Sequence, residues 1–222
     1  WDLRSQSREP LQALTDFRDS VTSVQVLEND SILIASCVDG KLRTYDLRKG
    51  LLHEDDLCPR SPAPASASAA GVKGGEPIVC SRGAANGTVL SLCLPVPDSH
   101  SGEIQNQNQN GKLVLSDLRS GKRLRVFYGS INQNIKSECC VLRGGKVVCG
   151  GEDGCIRVWA LNGPLQQTLQ IQSEQAQGIG NSYSKRCAIL SVAAHPTQTA
   201  LLAAAHDGSV KMWAENGSES IC

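Results

Sequence analysis

Short runs with period two, apolar residues on one side and polar on the other, recur along the chain four times in one order. An apolar stretch comes first: "SILIAS", "TVLSLC", "KVVCG" and "TALLAAA". An Asp-Gly or Asn-Gly pair follows it: Asp39-Gly40, Asn110-Gly111, Asp153-Gly154 and Asp207-Gly208. An alternating stretch comes next: "KLRTYD", "KLVLSD", "CIRVWA" and "SVKMWA". In the third of these, Ile156, Val158 and Ala160 point one way while Arg157 and Trp159 point the other, which is a strand period and not 3.6. The pairs read as two-residue type I′ turns, because Asp, Asn and Gly tolerate positive φ. One more strand is predicted upstream of each unit ("SVTSVQV", "EPIVCSR", "IKSECCV", "CAILSVA"). A more polar one is predicted alongside ("PLQAL", "GLLHE", "KRLRVFY", "PLQQTLQ").

A tetrad marks the repeat. Tyr45-Asp46-Leu47-Arg48 returns as Ser116-Asp117-Leu118-Arg119, more weakly as Trp159-Ala160-Leu161-Asn162, and in part as Trp213-Ala214. Trp1-Asp2-Leu3-Arg4 is a further copy at the very start, so the chain is expected to begin inside a repeat. Units of four antiparallel strands repeated at about 40 residues make propeller blades. The expected fold is therefore all-β, a β-propeller of about four blades. Residues 1–14 are the tail of a preceding blade, 15–54 a blade, and 55–75 a disordered insertion. Residues 76–127 form a blade carrying a low-complexity insertion near 94–110, which lengthens a hairpin. Residues 128–170 form the next blade, 171–186 a connector, 187–217 the last blade and 218–222 a tail. The Pro/Ala/Ser/Gly-rich "PRSPAPASASAAGVKGG" cannot bury a core.

Composition narrows the function. Lys plus Arg and Asp plus Glu are 22 each, giving zero net charge, so direct nucleic-acid binding is not expected. No apolar run reaches the roughly 18 residues of a membrane span. Of the ten cysteines, eight fall in predicted strands and read as small core residues, which fits a reducing compartment and a cytoplasmic or nuclear location. Adjacent Cys139 and Cys140 point to opposite faces and are poorly placed to chelate one metal together, so neither metal nor cofactor is expected. His206-Asp207 resembles a base and its orienter, but Asp207 is a turn residue. No nucleophile elbow, phosphate loop or metalloprotease motif is present. The expectation is a non-enzymatic protein.

The tetrad, the turn Asp and the period resemble the WD-repeat family. That resemblance implies a hydrogen-bond chain joining the turn Asp, a strand Ser or Thr, the aromatic of the tetrad and a His at blade entry. Ser36, Asp39 and Tyr45 match in one blade, Asp153 with Trp159 and Asp207 with Trp213 in two others. Trp1, Asp2, Asp46 and Asp117 occupy tetrad positions. The Gly-His pair is absent. Asn110 and Ser116 replace Asp and the aromatic in one copy, which is expected to be the loosest blade.

Within the family, Asn132-Gln133, Lys136 and Cys139-Cys140 at a blade entry, with "SCVDGKLRTYDLRKG", resemble the mitogen-activated protein kinase organizer group of scaffolds. This implies a ring of about seven blades, of which the chain is expected to be the C-terminal part, truncated at its N-terminus and forming an open arc. It implies partners among kinase-cascade or spliceosome components. Candidate partner-binding residues at the blade entries are Arg18, Asp19, Asn132, Gln133, Lys136, Lys185 and Arg186. An alternative is a substrate receptor of a cullin-RING ubiquitin ligase, with Arg4, Arg48 and Arg119 meeting the ligase adaptor. The simpler reading of those arginines pairs them with nearby carboxylates.

Overall fold

The computed structural model describes residues 4, 8–27, 31–57, 75–84, 87–95, 110–171 and 187–214. They form four antiparallel sheets, each with its strands hydrogen-bonded in sequence order. Blade 1 holds β1 (Val21–Leu27), β2 (Ile32–Cys37), β3 (Lys41–Asp46) and β4 (Gly50–Asp56). Blade 2 holds β5 (Ile78–Ala84), β6 (Thr88–Cys93), β7 (Lys112–Asp117) and β8 (Arg123–Phe127). Blade 3 holds β9 (Cys139–Leu142), β10 (Lys146–Gly150), β11 (Cys155–Ala160) and β12 (Leu165–Gln170). Blade 4 shows three strands among the described residues, β13 (Ile189–Ala194), β14 (Ala200–Ala205) and β15 (Val210–Ala214).

The repeat is visible in the irregularities as well as in the ladders. A register shift falls at Val21/Ser23, Ile78/Cys80 and Ile189/Ser191, near the start of the first strand of three blades. Another falls at Thr44/Tyr45, Leu115/Ser116 and Val158/Trp159, always at the aromatic position of the tetrad. A bulge there bends the strand and increases its twist. The third tetrad residue donates its N–H back across the blade: Leu47 to Ser31, Leu118 to Gly87 and Leu161 to Gly145, at 2.9, 3.0 and 2.8 Å.

The cores lie between blades. Ile34 and Leu42 of blade 1 meet Ile78, Val89 and Val114 of blade 2. Leu90, Leu92, Leu113 and Phe127 of blade 2 meet Cys139, Val147 and Trp159 of blade 3. Cys140, Val148 and Ile156 of blade 3 meet Ile189, Val192 and Leu201 of blade 4. Neighbours in sequence, such as Val89 and Leu90 or Val147 and Val148, serve opposite interfaces. A middle blade is thus apolar on both faces, which is why β6 reads as an almost unbroken apolar run. Cys139 and Cys140 part to opposite faces as period two requires.

Four expectations about the fold are corrected. The Asp-Gly pairs are not the centre of two-residue turns. Gly40 N–H donates to Cys37 O, Gly154 to Gly151 and Gly208 to Ala205. The Asp is therefore third and the Gly fourth, with φ of 82°, 75° and 85°. This is a three-residue connection closed by a left-handed glycine. Each Asp accepts from the backbone two residues on, Asp39 from Lys41, Asp153 from Cys155 and Asp207 from Ser209, which local Asx geometry favours. Asn110-Gly111 forms no such turn, because the hairpin insertion takes its place: Gly111 N–H bonds Asn132 O at 2.8 Å, in the approach to blade 3.

The second correction is "PLQAL", which is not a strand. Its expected partner around Trp1 to Arg4 is described only at Arg4. Third, the blade carrying Ser116 is fully packed, with Leu90, Leu92, Leu113 and Val114 buried, because it is clamped on both faces. The fourth, the hydrogen-bond chain, is taken up below. The long insertions fall mostly outside the described residues, as do residues 215–222, but Cys93 pairs with Lys112 across one of them, so it does interrupt a hairpin.

Candidate protein-interaction faces

The turn Asp does not link to the tetrad aromatic. It pairs with an Arg four residues on. Arg43 Nη2 lies 2.7 Å from Asp39 Oδ2 and Nη1 3.3 Å from Oδ1. Arg157 repeats this on Asp153 at 2.6 and 3.1 Å. The Arg43 side chain is fully buried. It also reaches Glu54 at 3.0 Å and lies 5.1 Å from the Phe17 ring centre. Lys41 pairs with the same Glu54. Burial raises the Asp39 and Asp153 carboxyls, but their Arg partners with the local N–H donors overcome it and hold both below the usual range. The Lys41 hydrogen bond does the same for Glu54, against a smaller effect of burial.

Ser36 Oγ is 3.0 Å from Thr22 Oγ1 and is no relay to Asp39. The Tyr45 hydroxyl is buried with no hydrogen-bond partner, and burial, with Asp16 nearby, pushes it up to about 12. Trp159 closes the interface of blades 2 and 3, 6.0 Å from Phe127, while Trp213 is half-buried against blade 3. The signal missed in the sequence is Asp-Gly-x-x-Arg, present in "DGKLR" and "DGCIR" and weakened in "DGSVK".

The approach to blade 3 is a built rim. Glu152 Oε1 accepts the backbone N–H groups of Gln133, Asn134 and Ile135 at 2.6, 2.6 and 2.7 Å. Asn132 is completely buried. Its amide donates to Ser130 Oγ at 2.5 Å and Gly150 O at 3.0 Å. It is thus a structural residue and not a partner contact, a correction to its place among the candidates. Ile131, Gln133, Asn134 and Lys136 are exposed around it. Gln133 touches Asn110 at 3.2 Å. Lys136 Nζ donates to Thr22 O of blade 1 at 2.7 Å, across residues 114 apart in sequence. Arg18 and Asp19 are exposed at the entry of blade 1. Trp1, Asp2, Lys185 and Arg186 lie outside the described residues.

At the tetrad ends, Asp46 accepts from the N–H groups of Arg48 and Lys49. Asp117 accepts from Arg119 N, Ser120 N and Ser120 Oγ. These aspartates fix turns. Among the described residues the Arg48 and Arg119 guanidiniums make no direct hydrogen bond or ion pair, though the Ser120 hydrogen bond, with the Arg119 charge adding to it, holds the Asp117 carboxyl below the usual range. Arg4 is exposed.

Six of the eight described cysteines are buried: Cys37, Cys80, Cys93, Cys139, Cys140 and Cys149. Cys139 donates to Cys80 Sγ at 3.9 Å between blades 2 and 3. Among the described residues no three His, Cys, Asp or Glu gather as metal ligands, and no helix is long and apolar enough to cross a membrane.

The model of the WD domain, G-beta repeat family matches residues 8–46, 121–160 and 180–214. The span between the first two matches holds most of blade 2, where Asn110 and Ser116 depart from the pattern, yet the sheet forms. The chain is 30% identical over 219 residues to WD repeat domain-containing protein 83 of Rattus norvegicus, covering 98% of this chain and 55% of that one. It is 32% identical over 218 residues to the Homo sapiens protein of that name, covering 97% and 54%. The chain spans about half the length of the curated relatives it matches. The WD40 β-propeller domain of Doa1 superposes with a TM-score of 0.62 at 15% identity, over 92% of this chain and 54% of that one. The computationally designed Ika4 protein superposes at 0.59 and 16%, over 94% and 99%. Repeat, blade order and family match agree: the chain belongs to the WD domain, G-beta repeat family.

Proposed function

We propose that this protein is a non-enzymatic interaction scaffold that gathers kinase-cascade or spliceosome components in the cytoplasm or nucleus. The observation that carries the reading is the blade 3 rim. Its backbone is fixed by three N–H bonds to Glu152, while the side chains of Ile131, Gln133 and Asn134 face solvent. A loop ordered before it meets a partner spares the entropy of ordering at binding. Similarity along nearly the whole chain to WD repeat domain-containing protein 83 supports the choice of scaffold over other classes.

The test is affinity capture from cells with the tagged protein, against a Gln133→Glu, Arg18→Glu variant and an unrelated propeller. Enrichment of kinase or splicing proteins on the wild type, reduced on the variant, is expected. Equal capture by all three baits sinks the reading.

A further inference from the structure

A cavity of about 320 Å³ opens between blades 1 and 2, at the end where their tetrads turn. Its volume is in the range of ligand pockets, about 300–1,000 Å³. Leu27, Ile32 and Leu118 supply apolar wall, and Leu27 and Leu118 are the half-buried edge of the core between these blades. Four polar residues join them: Thr44, His53, Thr88 and Arg119.

Thr44 and Arg119 keep unused bonding capacity. Thr44 is 3% exposed, and its hydroxyl has no hydrogen-bond partner. The Arg119 guanidinium makes no direct hydrogen bond or ion pair among the described residues, because the neighbouring carboxylate of Asp117 takes its hydrogen bonds from its own turn. The only ionisable side chains among the described lining residues, His53 and Arg119, are basic. Asp55 of β4 lies against Gly121 and is not part of the lining. An apolar slot with a cation at its mouth suits an aliphatic group beside a carboxylate.

We propose that this cleft binds a short peptide segment of a partner protein, inserting one aliphatic side chain between Leu27 and Leu118 and placing an adjacent Asp or Glu carboxylate on Arg119. The proposal rests on the scaffold reading and assigns it one binding site, on the face opposite the blade-entry rim.

The test uses fluorescein-labelled Gly-Ser-Leu-Glu-Gly-Ser peptide, with versions carrying Lys in place of Glu or Ser in place of Leu. Binding to the full chain is read by fluorescence polarisation. The Leu-Glu peptide binds, and each altered peptide binds at least tenfold more weakly. Arg119→Glu lowers affinity for the Leu-Glu peptide at least tenfold at an unchanged melting temperature, and Arg48→Glu leaves it alone. No binding by the Leu-Glu peptide, or equal loss with Arg48→Glu, overturns the proposal. Capture of partner proteins through an intact rim then still supports the scaffold reading, so the two fail separately.

Discussion

Arg43 reaches back four residues over a hairpin turn to grip Asp39 with two of its nitrogens, and does so with no exposed surface of its own. Taking a guanidinium out of water is costly unless every donor finds an acceptor. Here Asp39 and Glu54 supply acceptors, and Phe17 covers the plane of the group.

Removing one partner of such a pair strands the other. Arg43→Ala is expected to lower stability by about 3–5 kcal/mol, the range for breaking a buried pair. Arg157→Ala is expected to cost less, because the Arg157–Asp153 pair is partly solvated. Urea unfolding of the two variants beside the wild type measures the difference; equal losses would refute the distinction.

The same carboxylates set a pH dependence. The folded Asp39 and Asp153 hold their protons less tightly than in the unfolded chain. Their contribution is therefore full above the unfolded carboxylate pKa of about 4 and is lost as pH falls through the lower folded values. Asp55, raised by burial, works the other way: as pH falls through its folded value, just above that range, protonation relieves a penalty. The melting temperature should fall steeply below about pH 4, and Asp39→Asn should flatten that fall. An identical acid profile for Asp39→Asn would remove Asp39 as a cause.

Neighbours Asn132 and Gln133 should separate structure from recognition. Asn132→Ala removes buried donors to Ser130 and Gly150 and is expected to cost about 1–3 kcal/mol. Gln133→Ala, on the exposed rim, should stay within about 0.5 kcal/mol while weakening partner capture. Thermal melts combined with pull-downs give both readouts, and a destabilised Gln133→Ala would argue against the assignment.

Gly40 and Gly208 have nearly the same left-handed φ, 82° and 85°, but different surroundings. A Cβ on Gly40 would stand 2.6 Å from the Gly75 backbone, while one on Gly208 meets nothing within 4 Å. Gly208→Ala should cost about 1–2 kcal/mol for the backbone conformation alone. Gly40→Ala should cost clearly more, since backbone must also move. Denaturant midpoints of the two variants decide it.

The sequence by itself determined the elements. Period two fixes where strands run and which side chains share a face, so the opposed Cys139 and Cys140 and the fifteen strands among the described residues were legible from local pattern. The turn type was only half legible. Asp-Gly signals a left-handed glycine, but whether the pair sits at the middle or the end of the turn depends on the register of the flanking ladder.

Which residues do what was decided by stacking. Asn132 reads as a polar entry-loop residue and is buried because Gly111 and Gly150 close over it. Lys136 reaches blade 1 only because the first strands of successive blades adjoin one another. Thr44 and Arg119, 75 residues apart in sequence, share a cavity because blade 2 stands beside blade 1. Local pattern encodes backbone period and turn chemistry over a few residues. Burial, pairing and cavities arise between blades, from parts of the chain whose proximity no local pattern records.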